Sequence, residues 1–193
     1  MSRMSAALHH PQRHPISVEE YLRMGEGNVF APDARLELIE GEIIEMAPIG
    51  SPHAGTVAIL GRLLVRAVGD TAVVWVQNPV RIGERSMPQP DVVLLKPRAD
   101  MYTRSHPTPA DVLLLIEVSD ATLRFDVATK VPLYAQAGIV ETWVVDIESA
   151  RVQVFRDPGA DGYRTSFTVS GSERMSSSAM PQVEIAASEL FPA

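Results

Sequence analysis

Five apolar residues run without interruption from Val112 to Ile116 in "DVLLLIEVSD", and a carboxylate, Glu117, stands directly behind them. An unbroken apolar run of this length reads as a strand covered on both faces of its sheet. "VETWVVDIE" repeats the pattern, and "PDVVLL" gives a shorter version in which Asp91 precedes the apolar residues. "AVVWVQNPVRIG" reads as a further strand interrupted at Pro79. Two other stretches carry helical spacing. "SPHAGTVAILGRLLVRAVG" places Val57, Leu60, Leu64 and Val68 on one stripe, with Ser51 as the predicted cap, Pro52 at the first helical position and Gly69 past the end. "FDVATKVPLYAQAG" is helical in pattern and stops at Gly138.

Shorter signals fill in the rest. Ser17 and Glu20 form a capping box that opens a helix in "SVEEYLRMG". "RLELIEGEIIEMAP" alternates on either side of Glu40-Gly41 and predicts a hairpin with Glu37 in its first strand. Residues 96 to 110 form a long polar connection with three prolines. "RVQVFRDPGADGYRTSFTV" predicts a hairpin around "DPGADG", and "ASELF" a helical turn. Strand, helix and strand from residue 112 to 146 predict a parallel crossover, so the fold class is α/β: a mixed sheet flanked by helices, with an N-terminal hairpin. Residues 1 to 15 read as a disordered arm and residues 16 to 193 as a single domain.

Composition narrows the chemistry. The chain lacks cysteine, which excludes disulfides and thiolate metal sites, and three of its five histidines fall in the first 15 residues. No apolar run is long enough to span a membrane and the N-terminus has no signal-peptide core, so a cytoplasmic protein with no membrane partner is expected. The net charge of −7 disfavours nonspecific coating of nucleic acid, though a local cleft can still bind it. Of 17 basic residues only Lys96 and Lys130 are lysine.

Asp91 and Glu117 each sit at the end of a buried strand, and neighbouring strands would bring them together. Two such carboxylates repel unless a proton or a cation lies between them. Mg2+, which takes oxygen ligands and needs only one or two protein carboxylates, suits the pair, with Mn2+ as a possible substitute. Lys130 lies i, i+4 from both Asp126 and Tyr134, so the three share a helix face that returns beside Glu117. Lys96 is the rival lysine, but strand alternation puts it on the face opposite Asp91. Pro132, two residues after Lys130, is expected to kink the helix and shift the reach of that lysine.

Together these residues resemble the PD-(D/E)XK nuclease superfamily: an acid near the N-terminus, "PD" opening a strand, and a glutamate near the end of the next. Here Ser119 stands where the third motif of that superfamily ends in lysine. In order, "RLELIEGEIIEMAP", "PDVVLL", "IEVSD", the helix carrying Asp126, Lys130 and Tyr134, and "AGIVETWVVD" more closely resemble a bacterial family of restriction-endonuclease-like proteins catalogued as a domain of unknown function. Its members move the lysine from the strand to the following helix. The resemblance covers roughly residues 16 to 191 and implies a restriction-endonuclease-like core and metal-dependent hydrolysis of phosphodiesters; it does not fix the substrate, for which DNA is the expectation. It implies that Asp91, Glu117 and the Val118 carbonyl hold the metal while Lys130 steers the attacking water. Glu37 would add a further ligand or orient a water, His53 would meet a phosphate at a helix N-terminus, and Asp126 and Tyr134 would support Lys130. By analogy with nucleases that cut both strands, a homodimer is expected, paired through the edges of "VETWVVDIE" and "RVQVF". The alternative is a catalytically silent protein that keeps the fold as a binding or assembly module. A glycoside hydrolase using Asp91 and Glu117 is disfavoured by the scarcity of aromatic residues.

Overall fold

The computed structural model describes residues 13–191; the expected arm lies, apart from residues 13 to 15, outside the described residues. A six-stranded mixed sheet organises the chain, in the order β3-β4-β5-β6-β7-β8. Its strands are β3 (Val73–Val76), β4 (Val92–Leu95), β5 (Val112–Ser119), β6 (Glu141–Asp146), β7 (Arg151–Gly159) and β8 (Gly162–Ser170). Only β5 and β6 run parallel; every other pair is antiparallel. The β5 to β6 connection is helical, as the apolar pattern predicts, because a parallel pair needs a crossover long enough to return to the same end.

The unbroken apolar runs follow from burial on two sides. Leu94, Leu114, Ile116 and Val118 pack with Leu60 and Leu64 of helix α2 (Ser51–Val68). Val93, Leu95 and Leu115 point the other way and pack with Tyr134 and Ile139. Glu117 continues that second series in steps of two, which turns it toward the same side as Tyr134. The stripe on α2 buries at the four expected positions. Its start differs by one residue: Gly50, without a side-chain cap bond, occupies the capping position and Ser51 is already helical.

Between β5 and β6 the chain forms one continuous helical segment made of α3 (Leu123–Phe125), a π-helical turn over Asp126–Lys130, and α4 (Val131–Gln136). The wide turn answers the question of Pro132. Val131 N–H donates to the Asp126 carbonyl five residues back, and Pro132, which has no N–H to give, follows at once. The proline is accommodated by one widened turn, and Lys130 is not displaced from the carboxylates.

Helix α1 (Val18–Glu26) carries the predicted capping box, with Ser17 N–H donating to Glu20 Oε2 at 2.8 Å and Glu20 N–H to Ser17 Oγ at 3.2 Å. The hairpin β1 (Leu36–Ile39) and β2 (Glu42–Glu45) follows. Glu40 and Gly41 both have positive φ, 51° and 85°, as a two-residue turn of this hand requires. Leu38 bridges to Met87, and with Val18 these two form a small third core. The hairpin is thereby fixed against the segment leading into β4, and Glu37 is turned toward the sheet. A short pair that the sequence pattern did not predict, β9 (Arg174–Ser176) and β10 (Glu184–Ala186), closes the C-terminal part.

The expected dimer edge is not available. β6 and β7 are interior strands, and among the described residues the sheet's edges are β3 and β8. "VETWVVDIE" is apolar because it is central, with all six residues of β6 buried.

Gly41 supplies a test of how firmly the hairpin is held. A Cβ there would come within 2.7 Å of Pro15 Cβ, in a backbone region that disfavours side chains. Gly41→Ala is expected to lower unfolding stability by about 2 kcal/mol, measured by urea denaturation, from strain of roughly 1–3 kcal/mol. An unchanged midpoint would show that the turn and the residues before α1 are not packed as described.

Candidate active site

Asp91 and Glu117 are brought together by strand register. Val92 pairs with Ile116 across the antiparallel β4–β5 ladder, so the next residues outward, Asp91 and Glu117, flank the same end. Asp91 Oδ2 accepts the Val118 N–H at 2.9 Å, and its Oδ1 lies 3.1 Å from His53 Nε2 and accepts from Gln77 Nε2 at 3.2 Å. The aspartate is thus held by three elements, β5, α2 and the end of β3.

Lys130 is the centre of the cluster. Its Nζ donates to Glu37 Oε1 at 3.0 Å, with Oε2 of the same carboxylate at 2.9 Å, and it lies 3.3 Å from Glu117 Oε1 and 3.8 Å from Asp126 Oδ1. Asp126 is fixed in turn by Ser119 Oγ at 2.7 Å and Thr122 Oγ1 at 2.6 Å. Tyr134 OH donates to Glu117 Oε1 at 2.5 Å. The residues are almost wholly enclosed: relative exposure is 3% for Glu37, 7% for Asp91, 2% for Glu117 and 2% for Lys130.

Glu37, His53, Asp91, Glu117, Val118, Asp126 and Lys130 all line one pocket of about 80 Å³. Its rim is formed by Arg35 and Gln89, the strip Met46 to Gly50, and residues 120 to 122. Tyr134 is the exception among the expected site residues: it stands behind Glu117 and touches the pocket only through that side chain. His53 turns toward Asp91, and its Nδ1 is buried with no hydrogen-bond partner. Glu37 meets Lys130 and the Gln89 N–H. Lys96 stays outside, with Nζ on the Ala110 carbonyl.

Sequence reasoning missed Gln77, Gln89 and Arg35. Gln89 could have been found from its place two residues before Asp91 in "PQPD". Gln77 becomes a neighbour of Asp91 only through the β3–β4 pairing. Arg35 precedes the strand of Glu37, and its guanidinium donates to the Ala47 carbonyl at 2.5 Å, tying the hairpin to the rim strip.

The electrostatics are unbalanced. Four buried carboxylates gather around one ammonium: Lys130 touches Glu37, Glu117 and Asp126, while Asp91 faces His53. Burial pulls Lys130 toward neutrality, but Glu117, Glu37 and Asp126 outweigh it and hold its proton more firmly than in water. Burial raises Glu117 well above the ordinary carboxylate value, against the opposing pull of Lys130, and Asp126, Asp91 and Glu37 push it further. Glu37 rises for the same first reason. Burial and the adjacent Glu117 likewise raise the Tyr134 phenol well above its usual range, so it remains a donor.

The donor set therefore fits a hard dication. Glu117 Oε2 has no protein hydrogen bond among the described residues, and an added positive charge would relieve the carboxylate excess. Among the described residues no three His, Asp or Glu side chains form a ready cage. That is compatible with Mg2+, which keeps several waters and uses few protein carboxylates.

A pH dependence follows from the raised glutamates. A carboxylate whose folded pKa exceeds its unfolded value stabilises the fold fully below the unfolded value, and that stability is lost as pH rises through the folded pKa. In EDTA, the protein is expected to lose melting temperature as pH climbs from about 4.5 toward the raised values of Glu117 and Glu37. Glu117→Gln, which keeps the neutral form at every pH, should flatten part of that decline. Parallel pH profiles for parent and variant would show that Glu117 is not raised.

Comparison with known proteins agrees with this architecture. A crystal structure described as that of a "putative nuclease" from Anabaena variabilis, belonging to a domain family of unknown function, aligns with a TM-score of 0.73. The alignment covers 92% of this chain and 98% of that chain at 16% identity, which shows a shared fold. No curated protein matches the chain. The family pattern named Uma2 matches residues 18–188, a span that includes every element of the pocket. Because that match spans most of the chain, the chain belongs to the Uma2 family, described as "Putative restriction endonuclease".

Proposed function

We propose that the protein is a metal-dependent endonuclease that hydrolyses phosphodiester bonds of DNA, using Mg2+ or, in its place, Mn2+. The observation that carries this reading is the convergence of four buried carboxylates on one pocket with a single ammonium among them. Membership of a restriction-endonuclease family and a nuclease-like fold support it.

In this mechanism Asp91, Glu117 and the Val118 carbonyl would hold the ion. The metal, when bound, polarises the scissile phosphate and lowers the pKa of a water. The remaining work belongs to the side chains. Asp91 is oriented by the Val118 N–H and by Gln77 and His53, so its carboxylate is already placed before any ligand arrives. Lys130, kept charged by its carboxylate neighbours, steers the attacking water and supplies positive charge where the phosphate becomes more negative. Glu37 acts through Lys130, holding its ammonium at the pocket. His53 acts through Asp91, and its place beside that carboxylate stands in for the phosphate contact expected from the sequence.

One observation favours a second reading. Lys130 lies within 3.8 Å of three carboxylates, a closed ion cluster that would also suit a silent binding module.

The two readings separate on paired measurements. For an enzyme, Asp91→Asn and Glu117→Gln each abolish Mg2+-dependent nicking of plasmid DNA by the parent, because an amide is a poor ligand for a hard dication. In EDTA, stability of Glu117→Gln then holds or rises, since a mutually repelling carboxylate has gone. For a silent module, the same substitution removes a partner of a buried charge and costs about 3 kcal/mol or more. A parent protein that nicks no plasmid in Mg2+ or Mn2+, with a large loss of melting temperature in Glu117→Gln, would overturn the nuclease reading.

A further inference from the structure

We infer that Tyr134 is a positioning residue that makes Glu117 a one-oxygen ligand and so sets the preference of the site for Mg2+ and Mn2+ over Ca2+; the inference rests on the metal-dependent reading above. Both protein contacts to Glu117 gather on a single atom. Oε1 accepts the Tyr134 hydroxyl at 2.5 Å and lies 3.3 Å from Lys130 Nζ, while Oε2 has no protein hydrogen bond among the described residues. The carboxylate therefore offers the pocket one oxygen in one direction.

The tyrosine's own setting points to its hydroxyl rather than its ring as the special feature. The ring is fully buried in the apolar cluster with Val93, Leu115 and Ile139, where phenylalanine would pack equally well. A phenol hydroxyl in such surroundings must find a partner, and its one hydrogen bond is to Glu117. Tyr134 sits four residues after Lys130, so the helix that delivers the ammonium also delivers the tie.

The consequence for metal choice follows from coordination chemistry. Mg2+ demands near-ideal octahedral geometry at about 2.0–2.1 Å and takes carboxylates through one oxygen, whereas Ca2+ accepts about 6–8 oxygens at longer range and often takes a carboxylate through both. With Oε1 engaged by Tyr134 and Lys130, two-oxygen coordination by Glu117 is disfavoured. Removing the hydroxyl leaves Oε1 only the longer contact to Lys130 at 3.3 Å and makes two-oxygen coordination easier.

The test uses the full chain and binding rather than turnover. Free Mn2+ is followed by electron paramagnetic resonance while the parent and Tyr134→Phe are titrated, and Mg2+ and Ca2+ are then used as competitors at one pH. Phenylalanine keeps the ring packing, and a melting curve in EDTA checks the fold. The expected result is a loss of Mn2+ and Mg2+ affinity in Tyr134→Phe of about tenfold or more, the usual effect of removing a group that orients a ligand, with Ca2+ affinity unchanged or higher. Equal losses for all three ions, or no loss for any, would overturn the role of Tyr134 while leaving the metal site standing. Absence of Mn2+ binding by the parent would overturn the metal site itself, and this inference with it.

Discussion

The enclosure of one ammonium by carboxylates from separate parts of the chain is the constraint on which the pocket depends. Glu37 comes from the N-terminal hairpin, Glu117 from a central strand, and Asp126 from the helix that also carries Lys130. None of these groups tolerates burial alone, since an isolated charge in an apolar interior costs several kcal/mol. The hairpin, the sheet and the helix are therefore obliged to meet at this point. Ties that look incidental, such as Leu38 to Met87 and Arg35 to the Ala47 carbonyl, serve to deliver Glu37 to the cluster.

Each element contributes what its geometry allows. The antiparallel ladder between β4 and β5 sets Asp91 and Glu117 at one end of neighbouring strands; alternation turns Glu117 to the side of Tyr134, while Asp91, just ahead of β4, meets His53 of α2. The π-helical turn over Asp126–Lys130 solves a different problem: it lets a helix containing Pro132 keep its course while presenting a lysine and a tyrosine to one glutamate. Ser119 occupies the strand position where the wider superfamily has lysine, and it donates to Asp126. The serine thereby anchors the turn from which Lys130 reaches back, so the strand position still serves the ammonium, at one remove.

The residual charge imbalance sets this arrangement apart from a simple ion pair. A fully compensated ion cluster would have no use for a cation, whereas buried carboxylates in excess over one lysine leave negative charge that a dication could balance. Enclosure in a pocket of about 80 Å³ leaves the carboxylates little water to offset their repulsion.

The sequence by itself determined the elements and the identities of the charged groups. Unbroken apolar runs are buried on both faces, so β5 and β6 were legible as strands covered on both sides, and the Val57, Leu60, Leu64 and Val68 stripe admitted one helix face. Asp91, Glu117 and Lys130 stood out because ionisable groups beside such runs need partners. Tertiary structure alone decided who those partners were. Nothing local distinguishes Glu37 from the other acids of its hairpin; it is buried because Leu38 docks on Met87. Apolarity could not tell an edge strand from an interior one, which is why the expected dimer edge proved to be the middle of the sheet. The pairing of β3 with β4 brought Gln77 to Asp91, a contact that no spacing encodes. The widened turn before Pro132 was likewise beyond the sequence pattern. A helical period and a proline predict a kink, and only the surrounding carboxylates and Ser119 show which way the backbone resolves it.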